Sequence, residues 1–98
     1  MILKAADIEI CERKVKLNKP DPETFTYPFG KQFTDHMFTV DWDLEQGWMR
    51  PKIQPYGPFL IPTSTTSLHY GISAYEGFSV FRNVRTERPQ AFRAQENL

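Results

Sequence analysis

The sequence predicts an α+β fold made of short, mostly antiparallel strands and one short helix. Two stretches, Phe38–Trp42 and Phe78–Arg82, place successive side chains on opposite faces, which is the period of a strand. A third stretch, Leu68–Tyr75, has apolar residues at the spacing of one helix face and predicts a short helix near residues 67–75. Prolines and glycines separate these stretches and predict turns between them.

The composition is that of a small globular chain without a strong charge. Its 98 residues include 12 basic and 12 acidic side chains, and 40% of them are hydrophobic. The basic residues are scattered, so neither a nucleic-acid surface nor an anionic-membrane surface is predicted. No apolar run approaches the ~20 residues that cross a bilayer. Asp7, Glu9 and Glu12 argue against a transit peptide, so we expect a cytoplasmic protein, with a mitochondrial location as the alternative.

The single cysteine, Cys11, excludes an intrachain disulfide and fits a reducing compartment. Its thiol could be reactive, but a free cysteine more often packs as a small hydrophobe. We therefore expect Cys11 to be half-buried.

The first half of the chain is predicted to contain an edge strand, a loop and a hairpin. Ala5–Glu12 is a short strand pattern followed by charges, which suits a sheet edge. Asn18–Pro28 holds three prolines and is predicted to be a loop. Gln32–Trp42 is the clearest strand. Asp43–Gly47 then forms the turn of a hairpin, with Gly47 at a positive φ angle.

The segment from Arg50 to Pro62 carries four prolines, which predict an extended chain that cannot be a central strand throughout. Two short strands are predicted within this segment, Lys52–Tyr56 and Phe59–Ile61.

Residues typical of helix ends flank the predicted helix. The Ser and Thr side chains at 63–67 can accept hydrogen bonds from its first N–H groups. Gly77 suits the position after its end, where a positive φ is usual. Leu68 and Ile72 share the face that we expect to be buried. Tyr70 lies on the far side, so its ring must face solvent, a partner or a cavity.

After the helix, Phe78–Arg82 and Gln90–Arg93 are predicted to pair as a hairpin around the polar loop Asn83–Arg88. Ala94–Leu98 contains helix-forming residues and is predicted to begin another helix.

The adjacent pair Asp35 and His36 could serve as an acid–base or metal pair. A metal site needs three or four converging ligands, and the chain has only two histidines, with no acidic cluster near them. We therefore favour a structural role, in which His36 bonds to backbone or to a carboxylate.

The run Leu68–Gly77, LHYGISAYEG, resembles the LHY…FEG signature of the branched-chain aminotransferases, which are pyridoxal-phosphate enzymes of fold type IV. Other blocks resemble those of the eukaryotic members, in order and with nearly matching spacing: Lys4–Asp7, Phe29-Gly30, Phe33–Met37, Asp41-Trp42, Gly47-Trp48 and Pro51–Pro55. Any one block is weak, but together they cover nearly the whole chain.

This resemblance implies that residues 1–98 are the N-terminal portion of the family's small domain, incomplete and truncated before the large cofactor-binding domain. It places Phe29, Tyr70 and Tyr75 in the substrate side-chain pocket and no catalytic residue in this chain. An aromatic pocket suits a branched aliphatic group, because burying each CH₂ contributes about 0.8 kcal/mol. The family commonly has Phe at the position of Tyr75, and often Lys or Arg at that of Ser79, so details of the site should differ.

The implied reaction moves an amino group between leucine, isoleucine or valine and 2-oxoglutarate. Its cofactor, pyridoxal 5′-phosphate, needs a lysine for the Schiff base and a site for the phosphate. None of the six lysines matches the family's catalytic block. The resemblance therefore puts that lysine and the phosphate-binding arginine beyond Leu98, and the chain alone should be inactive. Family members are homodimers, so we expect amino acids, 2-oxo acids and a second subunit as partners, without nucleic acid or membrane.

Two other classes of function stay open. Another class IV enzyme, such as a D-amino-acid aminotransferase or an aminodeoxychorismate lyase, would share the fold, although the FTDHM block at 33–37 disfavours it. A non-catalytic truncated product, or a small module that binds through its aromatic residues, would have no chemistry of its own. For an incomplete domain we expect an exposed apolar patch larger than the few hundred Å² usual for a monomer.

Overall fold

The computed structural model describes residues 3–15 and 29–97. The chain divides into two compact units, Met1–Phe59 and Leu60–Leu98. The predicted loop Asn18–Pro28 lies outside the described residues.

The first unit is built on a three-stranded sheet and a separate hairpin. In chain order it contains a 3₁₀ turn, Ala5–Asp7, and the strands β1 (Glu9–Ile10), β2 (His36–Thr39), β3 (Trp42–Asp43), β4 (Gly47–Trp48) and β5 (Lys52–Pro55). The sheet has the order β1-β5-β2, with β1 parallel and β2 antiparallel to β5. Since the other pairings of the described chain are antiparallel too, the mostly antiparallel character that the sequence predicts is confirmed.

The N-terminal strand is shorter than predicted. Ala5–Asp7 forms the 3₁₀ turn, and only Glu9–Ile10 of the predicted strand Ala5–Glu12 pairs with β5. β1 lies at the edge of its sheet, as the sequence predicts. Cys11 follows it and is exposed, so the expected half-burial of the thiol is wrong. The residue lies just beyond the end of an edge strand, with no buried core beside it.

β5 is the central strand of the sheet, although a proline precedes it and another is its last residue. Pro51 precedes it and Pro55 ends it, so the missing N–H groups fall at the ends of the ladder rather than inside it. The predicted strand Lys52–Tyr56 is confirmed to within one residue. The predicted strand Phe59–Ile61 is wrong, because this stretch between two prolines pairs with no strand of the described chain.

The predicted strand Gln32–Trp42 is divided between β2 and β3, because the extended chain is interrupted after β2. The turn that follows is predicted correctly: β3 and β4 pair around it, and Gly47 has a φ of 73°. Asp43 Oδ1 accepts the backbone N–H of Glu45 at 2.8 Å and that of Gln46 at 3.2 Å. The turn is therefore stabilised by neighbouring residues alone, which is why its residue types reveal it.

The second unit contains the helix α1 (Thr66–Tyr70), the strands β6 (Val80–Arg82) and β7 (Pro89–Ala91), and a 3₁₀ turn, Ala94–Asn97. The helix is shorter than predicted: its C-cap is Gly71, with a φ of 61°, and the positive φ expected at Gly77 is wrong. The last element begins at Ala94 as predicted, as a single 3₁₀ turn.

The predicted side-chain cap and buried face of α1 are both wrong. Thr65 is the N-cap residue but makes no side-chain bond to the helix, because its hydroxyl donates backward to the Pro62 carbonyl. Leu68 and Ile72 are exposed. A helix of five residues gains little from backbone bonds alone, so without a buried face nothing extends it to Tyr75.

The second hairpin agrees with the prediction. β6 pairs antiparallel with β7, with Val80 opposite Ala91 and Arg82 opposite Pro89. Between the strands, Asn83 N donates to the Arg88 carbonyl at 2.9 Å, which closes the predicted polar loop.

Asn83 is expected to be the residue on which this loop depends most. Its Oδ1 accepts the N–H of Arg85 at 2.9 Å and that of Thr86 at 3.0 Å, and its Nδ2 donates to Gln90 Oε1 at 2.9 Å. We predict that Asn83→Ala destabilises the hairpin by about 1 kcal/mol, because exposed hydrogen bonds contribute toward the low end of the usual range. Hydrogen exchange at the Arg85 and Thr86 amides measures the effect.

Asn83→Asp is the matched control, because a carboxylate keeps the acceptor for both amides and loses only the donor to Gln90. We expect it to protect the Arg85 amide nearly as well as asparagine does. Equal loss of protection in both variants would contradict the role given to Oδ1.

The described chain has an uncovered apolar surface rather than a closed core. Among residues 3–15 and 29–97, Pro51 is fully buried and no hydrophobic core is present. Ile10, Ile53 and Phe38 lie on one rung of the three-stranded sheet and so share a face, on which Ile10 is 65% and Phe38 57% exposed. The large apolar patch expected for an incomplete domain stays a prediction. In the described ranges, no helix has the length and hydropathy that a bilayer crossing requires.

Candidate functional site

Phe29, the first predicted site residue, belongs to the first unit. It is the first residue of a turn at residues 29–31, and the next residue, Gly30, has a φ of 73°. A side chain rarely adopts this backbone conformation, so a glycine here lets the chain turn directly after the phenylalanine. The Phe29 ring is 99% exposed.

Tyr70, the second predicted site residue, is the last residue of α1 in the second unit. Its ring is 80% exposed, in agreement with the prediction that it lies away from any packed face. Gly71 turns the chain immediately after it. Directly before Tyr70, His69 Nε2 contacts the carbonyl of Thr63, which precedes the helix, at 2.6 Å. A carbonyl oxygen only accepts, so this nitrogen donates and anchors the helix to the chain before it.

Tyr75, the third predicted site residue, lies in the extended segment after α1 and not on the helix. The helical position that would put Tyr75 on the face of Leu68 and Ile72 is therefore not adopted. Its ring is 87% exposed, and a Cβ atom at Gly77 would come within 3.2 Å of Tyr75 Oη. Gly77 therefore leaves room for the tyrosine ring, which is a different role from the helix-ending one expected from the sequence.

Tyr70 and Tyr75 thus lie in one unit, on either side of the helix end, and Phe29 lies in the other. All three rings are largely exposed where a substrate pocket needs them enclosed. Their assembly into one pocket stays a prediction.

A concave surface of the first unit lies on the three-stranded sheet. It has a volume of about 380 Å³ and is lined by β1, β2, β5 and the residues after them, among them Glu9, Cys11, Met37, Lys52 and Gln54. Strand alternation explains the grouping, because Glu9 pairs with Lys52 and Met37 pairs with Gln54 on one face. The sequence analysis missed this surface, since the parallel pairing of β1 with β5 joins residues far apart in the chain.

His36 has the structural role that the sequence analysis favours. Its Nε2 accepts the backbone N–H of Arg13 at 3.0 Å. In the parts of the chain that the structure describes, no three His, Cys, Asp or Glu residues come together in a way that could hold a metal ion.

Comparison with known proteins finds relatives that resemble this chain. No protein-family model matches the chain. The chain is 39% identical over 95 residues to the cytosolic branched-chain-amino-acid aminotransferase of Ovis aries, covering 97% of the chain and 24% of that protein. It is 39% identical over 90 residues to the mitochondrial form of Bos taurus, covering 88% of the chain and 23% of the relative. A probable branched-chain-amino-acid aminotransferase of Staphylococcus epidermidis is 41% identical over 75 residues, which are 71% of the chain and 21% of the relative.

The similarity extends along almost the whole chain, whereas the chain spans only about a quarter of the length of these relatives. Both cytosolic and mitochondrial enzymes are among them, so they do not decide the compartment. The same kind of protein is matched in mammals, a yeast and a bacterium. Over nearly its whole length the chain is therefore similar to about a quarter of a branched-chain-amino-acid aminotransferase.

Proposed function

We propose that this chain is the part of a branched-chain amino acid aminotransferase that supplies one wall of the substrate pocket. In the whole protein, the reaction moves an amino group between leucine, isoleucine or valine and 2-oxoglutarate. The observation that carries the proposal is the 39% identity to a branched-chain-amino-acid aminotransferase over 97% of this chain. The fold-type IV small domain, comprising residues 1–98, belongs to the same proposal.

The proposed pocket residues suit a branched aliphatic side chain. Phe29, Tyr70 and Tyr75 offer large apolar rings that nothing in the described chain covers. Enclosing such rings around the substrate would remove water from both surfaces, at about 25 cal/mol per Å² of apolar area. The hydroxyls of the two tyrosines remain able to bond the substrate carboxylate or a neighbouring group at the rim of the pocket.

The described residues do not fit pyridoxal 5′-phosphate. A Schiff-base lysine is activated by desolvation or by a neighbouring cation. The four described lysines, Lys4, Lys14, Lys31 and Lys52, are all exposed. No step of the reaction is therefore assigned to the described residues, and we propose that the lysine and the phosphate-binding arginine of the whole enzyme lie beyond Leu98.

The partners follow from the same proposal. Branched-chain amino acids and their 2-oxo acids are the substrates, and a second subunit completes a homodimer. No role for nucleic acid or a membrane is proposed. The compartment we propose is the cytoplasm, with the mitochondrion as the alternative.

A segment exchange tests the proposed function. The part of the Ovis aries cytosolic enzyme that aligns with this chain is replaced by this chain, and the product is called the exchange enzyme. We expect it to transfer the amino group of leucine to 2-oxoglutarate. Spectra of the bound cofactor and the mass of the assembly are measured in parallel. The proposal is wrong if the exchange enzyme is dimeric and loaded with cofactor but inactive with leucine, isoleucine and valine.

A measurement on the chain alone tests whether it holds a cofactor site of its own. Its absorbance is recorded with pyridoxal 5′-phosphate before and after dialysis. We expect no retained cofactor. A retained band that one lysine substitution removes would show that the chain holds a cofactor site of its own.

A further inference from the structure

The parallel pairing of β1 with β5 follows a regular pattern. Glu9 N donates to the Pro51 carbonyl at 2.9 Å, and Cys11 N donates to the Ile53 carbonyl at 2.8 Å. Every second residue of the N-terminal segment thus bonds to every second carbonyl of β5, as parallel strands do. The next donor in this pattern is Arg13 N, and the next acceptor is the carbonyl of Pro55.

The bond that forms at this position is a different one. Arg13 N donates to the imidazole Nε2 of His36 at 3.0 Å. His36 lies opposite Pro55 in the register of β2 and β5, and β5 is the central strand. The imidazole therefore reaches from one edge strand, across the end of the central strand, to the chain that follows the other edge strand. The His36 ring nitrogen thus takes the place of the Pro55 carbonyl as the acceptor at the end of the ladder.

This bond exists only in one protonation state. To accept the Arg13 N–H, His36 Nε2 needs a free lone pair, so the ring must be neutral with its proton on Nδ1. Protonation places a hydrogen on both ring nitrogens. Nε2 is then a donor and can no longer accept the Arg13 N–H. His69 differs, because its Nε2 donates to the Thr63 carbonyl and keeps this bond whether the ring is neutral or charged.

We propose that His36 is a proton-sensitive latch. When neutral, it fixes the chain at Arg13 to the end of the sheet, and when protonated it releases that chain. The contact joins residues 23 positions apart, and it ties the chain after β1 to β2 across the end of β5. Any link from this contact to the substrate pocket rests on the proposed function.

The charged groups around the latch are on three elements. They are Glu9, Glu12, Arg13 and Lys14 on the segment of β1, Asp35 directly before β2, and Lys52 on β5. Glu9 and Lys52 pair on the face opposite to that of His36 and Pro55. Glu9 also lies 3.9 Å from Arg50, at the other end of β1.

The bond itself is directly observable in the isotope-labelled 98-residue chain. A nitrogen–nitrogen scalar coupling between Arg13 N and His36 Nε2 passes through an N–H···N hydrogen bond only while that bond exists. We expect this coupling at about pH 8 and its loss at about pH 5, across the range where histidine ordinarily changes charge. The ring-nitrogen shifts should report an Nδ1–H tautomer for His36 and an Nε2–H tautomer for His69.

Three variants separate the latch from a merely structural histidine. His36→Gln offers an uncharged acceptor at similar reach, so protection of the Arg13 amide from exchange should become independent of pH. His36→Leu removes the acceptor, so at pH 8 the Arg13 amide should exchange about 5- to 10-fold faster than in the unmodified chain, whereas at pH 5 the two should exchange alike. His69→Gln is the matched control and should leave Arg13 unchanged. The Cys11 amide, which bonds to a carbonyl, is the internal reference.

The proposal is overturned if the coupling is absent at pH 8 or persists at pH 5. It is equally overturned if, at pH 8, the Arg13 amide exchanges as fast in the unmodified chain as in His36→Leu, whatever the state of the other amides. These readouts use no substrate, so failure of the latch and failure of the proposed aminotransferase function give different results.

Discussion

Replacing Tyr70 by alanine in the exchange enzyme is expected to lower kcat/KM for leucine about 30-fold, which corresponds to roughly 2 kcal/mol. The physical reason is the loss of an apolar ring that would cover two or three CH₂ or CH₃ groups of the substrate. The ring is 80% exposed within this chain, so its removal leaves no cavity behind in the described structure. Steady-state rates with leucine and 2-oxoglutarate measure the effect.

Val84→Ala is the matched control for Tyr70→Ala. Val84 is 97% exposed in the same unit, in the loop between β6 and β7, and the proposed function gives it no role. Its substitution should leave kcat/KM within about twofold, because exposed substitutions away from special contacts change little. The cofactor band should be the same in both variants. If Tyr70→Ala retains full activity with leucine, Tyr70 does not belong to the pocket.

The features that could be predicted from sequence are those that neighbouring residues determine. The turn after β3 depends on Asp43 Oδ1 and on Gly47, all within a few residues, and the sequence locates both. The loop held by Asn83 is local in the same way. The central position of β5 is different, because it depends on β1 and β2, which lie far away in the chain.

The helix shows why apolar spacing alone is an unreliable guide to length. Leu68, Ile72 and Tyr75 have the spacing of one helix face, yet all three are exposed and α1 ends at Gly71. The spacing would extend the helix only if a packed surface covered that face, since short helices depend on tertiary burial. From sequence alone, either Gly71 or Gly77 could end the helix. In the structure Gly71 has the positive φ, whereas Gly77 lies beside the Tyr75 ring.

From sequence, the residues of the candidate site could be predicted only through the resemblance to a family signature. Composition and periodicity indicate only that the Tyr70 ring lies on the opposite side of the predicted helix from Leu68 and Ile72. They do not indicate a function for it. The enclosure that would make Phe29, Tyr70 and Tyr75 into a pocket depends on contacts that the described residues do not contain. The His36 bond to Arg13 was predictable in kind, as a bond to backbone, but its partner depends on the sheet order.

Replacing Gly71 by valine is expected to destabilise the end of α1 by about 2 kcal/mol. Gly71 has a φ of 61°, and an L-residue in this left-handed region loses roughly 1–2 kcal/mol, with β-branched residues at the upper end. No atom lies within 4 Å of the Cβ that the substitution adds, so the effect comes from the backbone and not from a clash with neighbours. Because Tyr70 directly precedes this residue, the same substitution should also lower kcat/KM for leucine in the exchange enzyme.

Gly57→Val separates the backbone effect from the added side chain. A Cβ added at Gly57 would likewise meet no atom within 4 Å, but the φ of Gly57 lies outside the left-handed region. A β-branched residue is therefore tolerated there, and the lost freedom of the unfolded chain makes the change neutral or slightly stabilising. Hydrogen exchange of the peptide covering residues 63–72, which contains the bond from His69 N to the Thr65 carbonyl, should be about 30-fold faster in Gly71→Val and unchanged in Gly57→Val. Unchanged exchange in Gly71→Val would mean that the left-handed turn does not end the helix, and the position assigned to Tyr70 would then be wrong as well.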